Sequence, residues 1–342
     1  MRRENEQGRK IVIPSASIAV VGAGAFGTAL AISLASNGQP TLLWGRDAAQ
    51  MGAMAKARQN AQRLAGLRFP ETLEVTADIT KIPLKAVILL AVPTQALRAT
   101  LIQHRHILHS HMLIACCKGV ERGSGLLPLE VIADVLPSVR SAILTGPSFA
   151  NDIAAGLPTA LTLATKDVDA KTLQTLLSTP ALRLYLSDDP IGAQLGGALK
   201  NVVAIAAGIA IGAGLGDSAR AALMTRGFAE MVRFAVLRGA ARDTLFGLSG
   251  FGDLVLTCTS TQSRNLRYGT AIGTGQTVSE TATVEGVMTA HAIIESLLTN
   301  ENDATDLPIT RMVSAVLKEE LNMAQAIESL LSRPLRRETD LA

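Results

Sequence analysis

The sequence predicts an α/β fold in two parts: a doubly wound, mainly parallel sheet followed by an all-helical unit. Three observations carry this. Short apolar runs alternate with amphipathic stretches from Ser17 to about Ser187, the rhythm of right-handed strand–helix–strand crossovers. Strand signal all but disappears after Asp188-Asp189-Pro190. Near the start, the run Ile18–Val21 leads into Gly22-x-Gly24-x-x-Gly27, and a helical pattern begins at about Ala25.

The elements follow in order. Residues 1–16 are expected as a flexible tail, since Met1 to Lys10 are polar and charged and precede no apolar stretch with a cleavage site. Strands are expected at Ile18–Val21, Thr41–Trp44, Ala86–Val92, Met112–Cys117, Ala142–Thr145 and Leu161–Ala164. Between most of them lie helical stretches: Ala25–Ser36, Asp47–Arg63, Gln95–Gln103 and Pro128–Leu136. Asn37-Gly38 closes the first helix. Asp189 is a good N-cap and Pro190 fits the first helical position, so a long helix is expected from there through Gly214. Further helices are expected at Ser218–Leu237, Val287–Thr299, Met312–Glu319 and Asn322–Leu331. This divides the chain into 17–188 and 189–335, with 336–342 as a second tail. Ligands in such a sheet bind at the carboxyl ends of the strands, here facing the helical unit.

The chain has 342 residues, 48% hydrophobic and only 3% aromatic, with a formal net charge of +3. It is long enough for two cores, and those cores must be built from Ala, Leu, Ile and Val. A net charge this small, without a basic stripe interleaved with aromatics, argues against a nucleic-acid partner. Three cysteines point to a reducing, cytoplasmic setting. Neighbours Cys116 and Cys117 would point to opposite faces of a strand, so no disulfide is expected between them. The apolar segment Val202–Leu215 has 14 residues and three glycines. It is too short to span a membrane and reads as a helix buried on all sides.

Gly22-x-Gly24-x-x-Gly27 has the spacing of a dinucleotide-binding loop. Gly22 would turn the chain out of the strand, and Gly24 would let backbone N–H groups approach a pyrophosphate. Gly27 would let the next helix pack close to the sheet. The helix N-terminus adds unpaired N–H groups and the positive end of its dipole. Arg46 stands just beyond the second expected strand. An acid there would bond the ribose 2′-hydroxyl of NAD, whereas an arginine accommodates the 2′-phosphate of NADP. The expected cofactor is therefore NADP or NAD, with Arg46 favouring NADP and its neighbour Asp47 blurring the choice.

Lys118-Gly119 falls at the carboxyl end of an expected strand, where ligands bind. Lys200 sits between Gly196-Gly197-Ala198-Leu199 and a long apolar stretch, where an unpaired charge is expensive. A lysine there needs a partner or a task, and buried lysines shift their pKa readily and serve as bases. Gly247-Leu-Ser-Gly250-Phe-Gly252-Asp253 is a second glycine-rich turn, ending in an acid. Ser263-Arg264-Asn265 then gathers a hydroxyl, a guanidinium and an amide, side chains suited to a phosphate. Read alone, it is a capped surface turn.

Together these residues closely resemble the bacterial-type NAD(P)-dependent glycerol-3-phosphate dehydrogenases. The matching motifs are Gly22–Ala31, Lys118-Gly119, Gly146-Pro-Ser-Phe-Ala150, Ala198-Leu-Lys-Asn201, Gly247–Leu254, Cys258–Asn265 and Val284-Glu-Gly286, in family order over residues 17–330. The resemblance implies a Rossmann-type first domain and a 6-phosphogluconate-dehydrogenase-like helical second domain. It also implies reduction of dihydroxyacetone phosphate to sn-glycerol 3-phosphate, the backbone for phospholipid synthesis. Carried over by motif, Lys200 looks like the proton donor and acceptor, Lys118 like the group that polarises the carbonyl, and Asp253 like the residue that orients the ammonium. Substrate contacts implied are Lys118, Gly146, Ser148, Lys200, Asn201, Asp253, Ser263, Arg264 and Asn265. Cofactor contacts implied are Gly22, Gly24, Ala25, Phe26, Gly27, Arg46, Lys118, Ala150, Arg264 and Glu285. The chain departs from the family at Phe26, where tryptophan is usual, at Cys116-Cys117, where serine usually precedes the lysine, and at Asn151-Asp152, which replaces a glutamate-containing pair. None touches the implied acid–base residues. A homodimer through the helical unit is a further implication.

Two alternatives remain at this point. Related two-domain dehydrogenases, of the β-hydroxyacid or ketopantoate reductase type, share the glycine loop and a lysine-asparagine helix but would not need the Ser263-Arg264-Asn265 grip. A cofactor-binding sensor would have no use for Lys118, Lys200 and Asp253. His104, His106, His109 and His111 lie within eight residues at the amino end of a strand, away from the expected site. They read as a solvated loop, and no metal site is expected. Cys258 reads as a small core residue.

Overall fold

The computed structural model describes residues 18–276, 284–299, 306–322, 324–326 and 328. Both expected tails and half of the expected helix Asn322–Leu331 lie outside the described residues. Eight described strands form one sheet: β1 (Ile18–Val21), β2 (Thr41–Trp44), β3 (Leu73–Thr76), β4 (Val87–Leu90), β5 (Met112–Ala115), β6 (Ser141–Thr145), β7 (Thr159–Ala164) and β8 (Leu182–Ser187). Their order is β3-β2-β1-β4-β5-β6-β7-β8. The helices on this sheet are α1 (Ala25–Ser36), α2 (Ala48–Ala57), α3 (Thr94–Gln103), α4 (Arg105–Leu108), α5 (Pro128–Val135), α6 (Ala150–Ala154) and α7 (Ala170–Leu177). Helices follow from Pro190 onward: α8 (Pro190–Gly212), α9 (Gly216–Leu237), α10 (Arg242–Phe246), α11 (Asp253–Thr259), α12 (Arg264–Gly273), α13 (Glu285–Thr299) and α14 (Pro308–Leu317).

The sheet is parallel except where β7 runs against β6. The connection explains the exception. A helix of five residues (α6) covers only about 7 Å, too little to carry the chain back along a strand for a parallel re-entry. It packs on α1 instead, and the chain returns antiparallel. The strands β3 and β8 were not expected from sequence. Both are edges, and each buries only part of its residues, so neither shows the continuous apolar run of the inner strands.

The expected helix Asp47–Arg63 stops earlier, at Ala57. Arg58 takes the left-handed conformation at φ 51° and its guanidinium donates to the carbonyls of Leu73 and Pro70, an end no periodicity reveals. The first-helix closure holds, with Asn37 as C-cap and Gly38 at φ +80°. So does the start of α8, where the Asp189 carboxylate accepts the Gly192 N–H at 2.9 Å.

Correction is needed at the histidines, which are not simply a solvated loop. His104 and His111 are buried, His104 edge-on to Trp44 at 5.1 Å and His111 hydrogen-bonded through Nδ1 with the Ala86 carbonyl oxygen. His106, within the short α4, and His109, at its C-cap, are exposed. No described group of three His, Cys, Asp or Glu side chains is placed to hold a metal. The three cysteines are free and buried.

Helix α8 is long and apolar enough to cross a membrane, but 89% of its most apolar stretch is buried inside the fold. Its neighbours approach unusually closely. A Cβ added to Gly208 would lie 2.2 Å from the Leu266 carbonyl oxygen, and one on Gly269 would lie 2.1 Å from that of Ile205. The backbones of α8 and α12 therefore meet without side chains between them, and this contact fixes the helix that carries Lys200. Gly208→Ala is expected to destabilise the protein by about 1–3 kcal/mol, read as an earlier midpoint in urea. An unchanged midpoint would mean that the two helices do not meet backbone to backbone in solution.

Candidate active site

At the carboxyl end of β1, Gly22 adopts φ +121°, and a Cβ there would lie 2.6 Å from the Ala91 carbonyl oxygen. On Gly27 a Cβ would lie 2.0 Å from the Gly22 oxygen, so α1 could not pack this close with any other residue. Gly24 is different: a Cβ there would meet no protein atom within 4 Å, because its open side faces out of the fold. It caps α1 without a side-chain hydrogen bond, and no acid occupies the first turn. Open space in front of uncapped N–H groups is what a pyrophosphate requires, so the residues fit a dinucleotide. Asn60, 1% exposed, secures the loop by donating to the Ala23 carbonyl and Thr28 Oγ1 at 3.1 and 2.9 Å. Phe26 and Ala150 pack half-buried on the core of this face. Asp47, which blurred the cofactor choice, caps α2 by accepting the Gln50 N–H at 2.9 Å. Arg46 is left exposed beyond β2.

The chemistry gathers two strands away. Lys118 follows β5, Lys200 lies in the middle of α8, and Asp253 opens α11 after a π-helical turn at Leu248–Gly252. Asp253 is 1% exposed and binds both lysines, Lys118 Nζ at 2.6 Å through Oδ2 and Lys200 Nζ at 2.8 Å through Oδ1. Lys118 also donates to the Gly146 carbonyl at 3.1 Å, and Ser148 Oγ donates to the same oxygen at 3.2 Å. Lys200 donates to Thr257 Oγ1 at 2.6 Å. Thr257 had no signal of its own in the sequence, yet four residues after Asp253 on a helix is the same face, and the hydroxyl donates to Asp253 Oδ1 at 3.3 Å.

Burial holds the Lys200 pKa below the usual lysine range. Its other influences are weaker: the Asp253 carboxylate opposes the shift, the Lys118 charge adds to it, and Glu285 opposes it. That is the direction in which a lysine becomes a better proton donor and acceptor. Burial pushes the nearby thiols of Cys117 and Cys258 up to about 12, the direction that disfavours the thiolate.

Beside the lysines lies an amide knot. Asn265 donates to Asn201 Oδ1 at 2.8 Å and accepts the Gly286 N–H at 3.0 Å, while Asn201 donates to Glu285 Oε2 at 3.4 Å. It ties α8, α12 and α13 at one point and leaves one Asn265 N–H without a partner among the described residues. Ser263 Oγ accepts the Leu266 N–H as N-cap of α12, leaving its own proton to donate. The Arg264 side chain is 59% exposed and lies 3.9 Å from Glu285. The expected residues thus form two groups: Lys118, Gly146, Ser148, Lys200 and Asp253 around the carboxylate, and Asn201, Ser263, Arg264, Asn265 and Glu285 around the knot.

A glycine cradle for a dinucleotide, with a Lys–Asp–Lys set in which Lys118 from the sheet meets Lys200 and Asp253 from the helices, is the arrangement of a nicotinamide-dependent dehydrogenase. Comparison with known proteins narrows the class. Residues 17–171 match the family model of the NAD-dependent glycerol-3-phosphate dehydrogenase N-terminus, and residues 189–328 match that of its C-terminus. The glycerol-3-phosphate dehydrogenase [NAD(P)+] of Ruegeria sp. (strain TM1040) is 53% identical over 323 residues, covering 94% of this chain and 100% of that protein. Its namesake in Cereibacter sphaeroides is also 53% identical, with the same coverage. The crystal structure of glycerol-3-phosphate dehydrogenase from Coxiella burnetii superposes with a TM-score of 0.87 at 37% identity, covering 94% of this chain and all of that one. The chain belongs to the NAD-dependent glycerol-3-phosphate dehydrogenase family.

Proposed function

We propose that this chain reversibly reduces dihydroxyacetone phosphate to sn-glycerol 3-phosphate with NADPH or NADH. The observation that carries this reading is the single buried carboxylate holding two ammonium groups beside a cluster suited to a phosphate. The bound nicotinamide supplies the hydride that C2 accepts. Negative charge then builds on the C2 oxygen, and the Lys118 and Lys200 ammonium groups stabilise it in a site shielded from water. Lys200 gives its proton to that oxygen and takes one back in the reverse direction. Asp253 and Thr257 keep its Nζ aimed during the transfer. The phosphate would be held by Arg264, with the free proton of Ser263 and the spare N–H of Asn265. Gly22, Gly24 and the first N–H groups of α1, with Ala25, Phe26 and Ala150 alongside, would hold the dinucleotide.

The same reading extends to the cell. Glycerol 3-phosphate made here would supply glycerophospholipid synthesis, in the cytoplasm, from a homodimer joined through the helical unit. Residues 17–188 would serve the cofactor and 189–335 the substrate.

The test follows loss of reduced nicotinamide absorbance with dihydroxyacetone phosphate, using NADH and NADPH in parallel. Oxidation with either supports the reading. A folded protein that binds a cofactor yet oxidises neither would remove the substrate assignment and favour the related dehydrogenases. With Asp47 engaged as a helix cap, Arg46 is expected to favour the 2′-phosphate. Arg46→Ala should therefore raise KM for NADPH about tenfold or more, the strength of a charge-assisted contact, and leave KM for NADH within twofold. Equal effects on both would mean that Arg46 does not read the 2′ position.

A further inference from the structure

Lys118 lies where the regular backbone has already ended. The last ladder bond of β5's continuation is Cys116 N–H to the Leu90 carbonyl at 2.9 Å, and Gly119 reverses the chain at φ +129°. The segment that follows is held by side chains from the first two turns of α3. Thr94 Oγ1 donates to the Lys118 carbonyl at 2.9 Å. Gln95 donates through Nε2 to the Val120 carbonyl at 2.8 Å and accepts the Arg122 N–H on Oε1 at 3.0 Å. One amide thus replaces the missing strand partner on both sides of residue 121. Arg98 grips the Glu121 carboxylate through Nε and Nη2 at 3.0 Å each. From the helical side, Arg122 pairs with Glu295 of α13 at 3.1 Å.

We propose that Gln95 and Thr94 are positioning residues for catalytic Lys118, fixing the backbone from which its ammonium reaches Asp253. Neither touches the reacting atoms. The Lys118 stem is long and flexible, so its Nζ stays on Asp253 and Gly146 only if its Cα is held, and a displacement of about 1 Å is enough to cost a large factor in rate. Gln95 is exposed, so it contributes little to the core, and its two backbone bonds set the course of 120–122. This assignment of Lys118 rests on the function proposed above.

The experiment uses the full chain with Gln95→Met, which keeps side-chain length and loses both hydrogen bonds, and with Thr94→Val and Thr94→Ser. Gln95→Met is expected to lower kcat about tenfold, with KM for the cofactor within twofold and the thermal midpoint little changed. Thr94→Val should act likewise, and Thr94→Ser should restore kcat. A second readout does not need turnover: trace acetylation with acetic anhydride, quantified by peptide mass spectrometry. Lys118 labelling should rise at least threefold in Gln95→Met relative to the surface residues Lys166 and Lys171, because its ammonium leaves Asp253 more often. Unchanged labelling overturns the proposal, as does a fall in kcat that only tracks a fall in thermal midpoint. If the wild-type protein does not reduce dihydroxyacetone phosphate, the proposed function fails while the labelling result still decides this one.

Discussion

Replacing Lys200 with alanine is expected to lower kcat for dihydroxyacetone phosphate reduction by about a thousandfold or more, the scale of removing a general acid together with a charge that stabilises the developing oxyanion. Lys200→Arg separates the two roles. Guanidinium keeps the positive charge but cannot release a proton at neutral pH, so it should preserve binding and not restore rate. The pH profile gives the sign. Burial holds the Lys200 pKa below the free value of ~10.4. Reduction needs the protonated form, so its rate should be full below that depressed pKa and fall as pH rises through it. Oxidation of glycerol 3-phosphate needs the neutral amine and should rise over the same interval. A flat profile in both directions, or wild-type turnover by Lys200→Arg, would remove Lys200 from proton transfer.

Asp253→Asn carries the second large effect, because one carboxylate serves two lysines. Its oxygens lie 2.6 and 2.8 Å from the two Nζ atoms, and the residue is 1% exposed. The amide would leave the buried Lys200 ammonium and the partly buried Lys118 ammonium facing each other without a counter-charge. Breaking a buried pair in this way typically costs about 3–5 kcal/mol, so the thermal midpoint should fall clearly. Activity should fall for a separate reason. The Asp253 charge is the strongest influence raising the Lys200 pKa against burial. Without it the pKa drops further, and the alkaline limb of the reduction profile should move to lower pH. Loss of rate with the limb unmoved would mean that Asp253 only shapes the pocket. Thr257→Val, which removes a neutral partner of Lys200, should move that limb much less.

Much of this was legible in the chain. The inner strands β1, β2, β4 and β5 are continuous apolar runs because helices cover both their faces, and a run of that kind announces itself. Asp189-Pro190 marks the start of α8 by local chemistry alone. The glycines at 22, 24 and 27 could be assigned separate tasks from their spacing, and the structure gives each a distinct geometry: a positive φ, an open face and a contact no Cβ allows. The edges β3 and β8, the early end of α2 and the antiparallel entry of β7 were not legible. Each depends on what lies beside it in space. Arg58 ends α2 because the carbonyls of Pro70 and Leu73 happen to face it.

The site divides along the same line. By itself the sequence singled out Lys200, because a lysine in an apolar stretch is costly wherever it folds, while Lys118, Asp253 and Ser263-Arg264-Asn265 were singled out as a set by the family resemblance. Only the tertiary structure decided how they act together. Lys118, Lys200 and Asp253 are separated by up to 135 positions, and no local pattern says that one carboxylate stands between two ammonium groups. Nor could the sequence show that Thr257 joins Lys200 and Asp253, that Asn265 is tied to Asn201 and Gly286, or that the Asp47 side chain caps α2. Periodicity and capping act over a few residues. Hydrogen-bond partners and burial, which set the pKa of Lys200, exist only once distant segments have packed.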